Sequence, residues 1–233
     1  MAEAYYWSKR KKLLKRYKKF SSSIGEKITQ RYGNDFSERI LGESLIEYEK
    51  IIPEIPHLPG KINFFRQILI LNAMSIALYK PMKKAGKTSD EIFTIFYEHV
   101  EDMFSGIPKF IKWLVRNIAF SRIFLWLARK TAKNASNHPE GWKIEFYKGD
   151  GVECDWYYEA TECAVIKFYE KLDVTEISIY CNFFDYLQSK FFGMGFKQDS
   201  CIGQGDKTCV ECMKKGRETT IPDNLKKIFP SLV

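Results

Sequence analysis

A chain of 233 residues that is 45% hydrophobic and 15% aromatic is far from a disordered polymer and can bury a substantial core without covalent staples. Its net charge of +8 points toward nucleic acid until the charge is located. Residues 1–20 hold eight Lys and Arg against the single acid Glu3, so nearly all of the excess belongs to an N-terminal arm and the rest of the chain is close to neutral.

The arm (1–25) carries no zinc finger, RNA-recognition motif or similar module, which excludes base-specific recognition. Its plain reading is a solvated helix, and its functional one a weak contact with an anionic surface. Residues 5–32 alternate basic and apolar positions at helical spacing, and Ser21-Ser22-Ser23 with Gly25 is expected to interrupt that helix. Asp35–Glu49 reads as the next helix, ended by Pro53, Pro56 and Pro59. Asn63–Lys84 follows. Its most apolar part, Ile68–Tyr79, is too short to cross a bilayer. Thr88 then offers an N-cap with acids in the first turn of a helix to Ser105. Pro108 opens a single long helix to Asn134, with Arg122, Arg129 and Lys133 on one stripe. Trp113, Phe120, Phe124 and Trp126 stand on several of its sides, which argues for burial or a homodimer contact over lipid.

A cluster of turn formers at 134–141 marks a change. Trp142–Lys148 alternates as a strand, Gly149-Asp150-Gly151 turns it, and Val152–Tyr158 returns. Helices are predicted over Thr161–Leu172 and Thr175–Phe192, then a hairpin of Phe196–Ile202 and Lys207–Lys214. The expectation is an α+β fold. A helical region, 1–135, packs with a cysteine-rich β-β-α-α-β-β unit, 136–233, that carries an antiparallel sheet, in one compact domain overall.

No apolar stretch follows the basic run as a secretory signal requires, so a cytoplasmic protein is expected. All six cysteines fall between 154 and 212, and in that compartment they are expected to be reduced thiols. Cys154 and Cys201 are assigned to packing. Cys181 and Asp185 lie four apart, on one face of the second predicted helix. Cys163 opens the helix before it, and Cys209 sits on the last strand. If both helices pack on the sheet, these groups converge.

The segments Gly141-Trp142, WYYEATEC (156–163), IYCNFFD (179–185) and GQGDKTC (203–209), with HLPGKINFF (57–65) upstream, resemble the L-2-amino-thiazoline-4-carboxylate hydrolase family over residues 55–215. Val210-Glu211-Cys212 departs from the acid and aromatic that the family carries there. The resemblance implies hydrolysis of a carbon–nitrogen bond in a cyclic amidine, opening a thiazoline ring to an N-carbamoyl cysteine. A thiolate would suit that electrophile, with Cys181 or Cys163 as nucleophile, Cys209 nearby, and Asp185 as general base or amidinium anchor. Trp142, Trp156 and Glu162 are the candidates for substrate contact, against the plainer reading of the tryptophans as core aromatics. A substrate carboxylate would want a cation, Lys167 or Lys207. No cofactor is expected. Zinc on Cys163, Cys181, Asp185 and Cys209 is the alternative for activating water, although only Cys209-x2-Cys212 has a familiar ligand spacing. The rival function is a non-enzymatic small-molecule or metal-binding sensor resembling vinyl-4-reductase-type domains.

Overall fold

The computed structural model describes residues 2–60 and 63–230; Lys61 and Ile62 of the HLPGKINFF segment, and the chain ends, lie outside the described residues. In chain order the helices are α1 (Ala2–Ser8), α2 (Arg10–Tyr32), α3 (Asn34–Ile51), α4 (Phe65–Lys84), α5 (Ser89–Ser105), α6 (Lys109–Ala119) and α7 (Arg122–Ser136). The strands β1 (Lys143–Lys148) and β2 (Trp156–Glu162) follow, then α8 (Ala164–Lys171), α9 (Phe183–Phe192), β3 (Phe196–Ser200), β4 (Cys209–Met213) and α10 (Asp223–Ile228). The class is α+β. Among the described residues no helix is long and apolar enough to cross a membrane.

Contacts divide the chain into two compact units: Met1–His57 with Phe64–His99, and Leu58–Asn63 with Val100–Val233. Secondary structure changes at residue 136, but packing divides the chain near residue 100, because α6 and α7 pack with the sheet unit.

In the first unit the expected break in α2 does not occur. Ser21 and Ser23 turn their hydroxyls back onto the carbonyls of Lys18 and Phe20, so neither competes for the helix ladder from outside. Gly25 serves packing. A Cβ there would stand 2.8 Å from Leu41, and its carbonyl accepts from Ser37 Oγ at 3.2 Å, so glycine lets α3 lie close against α2. Tyr17 and Tyr48 stack across the same interface with centroids 4.4 Å apart. The start of α5 is a reciprocal capping box: Thr88 N donates to Glu91 Oε2 (2.8 Å) and Glu91 N donates to Thr88 Oγ1 (3.2 Å).

In the second unit the single helix expected from Pro108 is two. Phe120 and Ser121 break it, and Ser121 Oγ caps α7 by accepting from Phe124 N at 3.1 Å. Trp113 and Trp126 are exposed instead of buried. The sheet is antiparallel throughout, in the order β1-β2-β4-β3. Its first connection is longer than a tight hairpin, because Asp150 Oδ1 accepts from the backbone N–H groups of Val152, Glu153 and Cys154 and holds them in a loop. The return strand therefore begins at Trp156 and runs on to Glu162, which delays α8 to Ala164. The helix expected over 175–192 splits into a 3-10 segment, Thr175–Tyr180, and α9, which ends at Gly193 in the left-handed conformation (φ 67°).

Strand alternation decides which side chains share a face. Trp156, Tyr158 and Ala160 of β2 pair with Met213, Glu211 and Cys209 of β4. Phe196 and Gln198 of β3 continue the rows beyond Met213 and Glu211. Cys209 and Cys212, three apart, point to opposite faces. Cys212 instead meets Cys154, and the two form a disulfide with Cα atoms 5.7 Å apart. This corrects the expectation that all six thiols are reduced and that Cys154 merely packs. It also removes Cys209-x2-Cys212 as a ligand pair.

Candidate active site

The loop between β3 and β4 builds the site. Cys201 N donates to Asp206 Oδ2 at 2.8 Å, Gln204 N donates to Cys201 O at 3.0 Å, and Gly205 takes a left-handed φ of 97°, so the loop closes on itself. Gly203 lies flat on the 3-10 segment: a methyl there would collide with the Ser178 carbonyl oxygen and sit 2.6 Å from Cys181 Sγ. The order Gly-x-Gly-Asp-x2-Cys is thus a folding prescription. One glycine permits close approach, the second permits the turn, Asp206 pins the loop, and Cys209 Sγ accepts from Ile202 N at 3.2 Å.

That closure sets Cys201 Sγ 3.5 Å from Cys181 Sγ. Hydrogen bonds from the thiols of Cys181 and Cys209, then from Gly203 N–H and the Gln204 side chain, pull the buried Cys201 thiol down to about 3. Cys181 and Cys209 move the other way, first because each is a donor to Cys201 and then because of burial. The three thiols titrate as one set, in which Cys201 is lowered and its two neighbours raised. Cys163 caps α8 nearby. Burial pushes its thiol up to about 11, against hydrogen bonds from Ile166 N, Val165 N and the Trp142 indole.

A second group lies on the same face of the sheet. Glu211 is 3% exposed and stands opposite Tyr158 on β2 and Gln198 on β3. Gln198 Nε2 donates to its carboxyl at 3.0 Å, and Tyr158 is hydrogen-bonded to it as well. Burial, and next the charge of Asp185, push Glu211 well above the carboxylate range. Asp185, in the first turn of α9 and only partly exposed, is raised to about 7 by burial and by the Cys201 charge. The network continues outward, with Asn182 Nδ2 donating to Gln198 Oε1 at 2.7 Å and to Asn224 Oδ1 at 3.1 Å.

Cys181 and Cys209 meet around Cys201, whose charge Asp185 feels, and Cys163 is close enough for its charge to be felt by Cys181 and Cys209. Cys181 and Asp185 are not on one helix: Cys181 follows the 3-10 segment and Asp185 is in α9. Trp142 lies against Cys163. Trp156 packs among Phe120, Phe124 and Phe146. Glu162 pairs with Lys167, whose Nζ also donates to the carbonyls of Pro139 (3.0 Å) and Gly141 (3.2 Å), so this cation fastens the turn before β1. Among the described residues no group of three or more His, Cys, Asp or Glu is arranged to hold a metal ion.

Cys201 is buried, as its assignment to packing expects, but it also meets Cys181 Sγ, and Glu211 was not singled out. Glu211 was findable, because it lies two residues from Cys209 on a strand and so shares its face. Cys201 has a weaker signal in its place just before the Gly-x-Gly-Asp loop.

The model of the family described as L-2-amino-thiazoline-4-carboxylic acid hydrolase matches residues 66–212, more than half of the chain. No curated protein and no solved structure matches it. The matched span contains every cysteine and both carboxyls of the cluster.

Proposed function

Since the chain belongs to the L-2-amino-thiazoline-4-carboxylic acid hydrolase family, we propose that it opens the ring of a 2-aminothiazoline carboxylate or a related small cyclic amidine. Cys181 is the nucleophile in this reading, the Cys201 thiolate its base, and Asp185 the acid. The observation that carries it is the 3.5 Å approach of Cys181 Sγ to Cys201 Sγ, within the field of Asp185. Cys181 and Cys201 share one proton and one charge across their contact, and of the two Cys181 is partly exposed while Cys201 is buried. The proton therefore passes from Cys181 to Cys201 as the Cys181 sulfur adds to the amidinium carbon. Cys163, packed against Trp142 at the start of α8, lies outside the Cys181–Cys201 contact and is the poorer nucleophile.

Atom balance fixes the bond that breaks. An N-carbamoyl cysteine keeps both nitrogens on the former ring carbon, so the ring opens at carbon–sulfur and not at the carbon–nitrogen bond inferred from the sequence. Asp185, poised at about 7, gives its proton to the departing ring sulfur. Water then adds to the isothiourea carbon and gives one proton back to Asp185. Cys181 leaves and recovers its proton from Cys201. The remaining proton, brought in by the amidinium, goes to solvent, and the oxygen stays as the ureido carbonyl. Glu211, kept neutral by burial and held by Tyr158 and Gln198, adds no second negative charge beside the thiolate.

Turnover of L-2-amino-thiazoline-4-carboxylate, followed by NMR of the product, tests the reading. Cys181→Ser should lower kcat by about 10⁴-fold and Cys201→Ser by about 10²-fold or more, with Cys163→Ser near wild type. Turnover should decline as pH passes about 7 and Asp185 loses its proton. Full activity in Cys181→Ser, or no turnover by folded wild type, would sink the proposal. Loss on chelation alone would replace the thiol by metal-activated water.

A further inference from the structure

Helix α6 wears its amphipathic pattern inside out. Phe110, Trp113, Leu114 and Ile118 recur on one stripe, and that stripe faces solvent, with Phe110 66% and Trp113 52% exposed. The opposite side carries Lys112 and Arg116, which turn toward the protein: Lys112 lies over the Phe191 ring and Arg116 beside Gly193. α7 extends the bare surface with Ile123 (71%) and Trp126 (59%). Around them stand the exposed cations Arg122, Arg129, Lys130 and Lys133. From Lys109 to Lys133 there is no acidic residue.

We propose that the α6–α7 face docks on an anionic lipid surface, lying in the plane of the headgroups without crossing them. Large apolar side chains clustered on two consecutive helices exceed the scattered exposure normal for a protein surface. Aromatic and aliphatic residues mixed with Lys and Arg are the composition of interfacial helices, whose tryptophans sit at the headgroup boundary while the cations reach anionic lipid. A second copy of this chain is the poorer occupant. A twofold contact through the face would set its cations against their own copies, with no acid on α6 or α7 to pair them.

The test uses the full chain with vesicles of phosphatidylcholine, alone and mixed with phosphatidylglycerol, read by co-sedimentation and tryptophan emission. Binding is expected only to the mixed vesicles, with a blue-shifted emission, and should weaken as salt rises. Lys130→Gln should weaken it about fivefold. Ile123→Glu with Trp126→Glu should abolish it while the circular dichroism stays unchanged, and Lys11→Gln with Lys12→Gln and Lys18→Gln in the basic arm should retain it. Equal binding to both vesicle types, no binding, or loss only in the arm variant overturns the proposal. So does a wild-type dimer, seen by ultracentrifugation, that the Ile123/Trp126 variant converts to monomer.

Discussion

The two compact units bury polar atoms to different ends. In the first, the buried serines Ser21, Ser37 and Ser44 each donate a hydroxyl to a backbone carbonyl of their own helix or its neighbour. No charge is stored there, and the surrounding Ile24, Ile28 and Ile40 are fully enclosed hydrocarbon. The second unit buries Glu211 and Asn182, hydrogen-bonded through Gln198, and sets them beside a group of thiols, with Asp185 acting through charge on both Glu211 and Cys201. In the first unit the serines are satisfied locally, and burial raises the phenols Tyr6, Tyr17 and Tyr48 still further from neutral pH, so they simply stay protonated. In the second, desolvation is left standing as shifted proton affinities, the condition in which a carboxyl or thiol can do chemistry near neutral pH.

The comparison breaks most visibly if the first unit is more than a packed scaffold. Ile40→Ala removes a fully buried side chain between α2 and α3 and should cost about 2–5 kcal/mol of stability. Urea unfolding checks this, and turnover per folded molecule should stay at the wild-type value. A folded Ile40→Ala protein with altered turnover would mean that the first unit takes part in the chemistry.

A smaller change of volume in the second unit should do the reverse. Gly203→Ala drives a methyl into the Ser178 carbonyl and Cys181 Sγ and should cost about 1–3 kcal/mol. Its main effect is to part Cys181 from Cys201. Ultraviolet thiolate absorbance against pH should then show the lowest thiol titration moving up. An unchanged titration would mean that Cys201 owes its charge to the Gly203 N–H and Gln204 alone.

These positions also separate what was legible in the sequence from what was not. The proline run after α3, the Thr88–Glu91 box and the β-β-α-α-β-β order carry local signals, and each stands in the structure. Ser21-Ser22-Ser23 and Gly25 misled because the same residues that break a helix in isolation serve α2 by bonding backward and admitting α3. The long Asp150 loop displaced β2 because a carboxylate gathering three N–H groups outweighs the turn preference of two glycines. Cys181, Cys209 and Asp185 were singled out as a set, but the contact of Cys201 with Cys181 was not, since it depends on a loop closing over eight residues and spacing conveys no distance.

The pH dependence of stability sharpens the contrast further. Asp185 titrates near 3.8 in an unfolded chain and at about 7 here, so between those values the folded state binds the extra proton. The Asp185 contribution should therefore fall as pH rises through that window, by at most about 1.4 kcal/mol per pH unit, while Cys201, lowered to about 3, contributes in the opposite sense over the same window. Glu211, raised well beyond the carboxylate range, acts in the same direction as Asp185. Thermal unfolding of Asp185→Asn across the window should show a slope of stability against pH displaced upward from wild type, because the Asp185 contribution is lost and the Cys201 one kept. Equal slopes for wild type and Asp185→Asn would contradict a protonated Asp185.

The smallest effect belongs to the Thr88–Glu91 capping box, which leads into α5 from the first unit. Thr88→Ala removes the hydroxyl that accepts from Glu91 N and should cost about 1 kcal/mol. Glu91 is held below the ordinary carboxylate range chiefly by Thr88, through its backbone N–H and then its hydroxyl. The variant keeps the N–H and loses only the second donor, so the Glu91 titration should rise part of the way, visible by NMR. The cost should be the same above and below the Asp185 transition, because nothing in this cap is tied to the buried charges of the second unit. A Thr88→Ala penalty that changed as pH crossed about 7 would mean that the start of α5 and the thiol–carboxyl cluster are coupled.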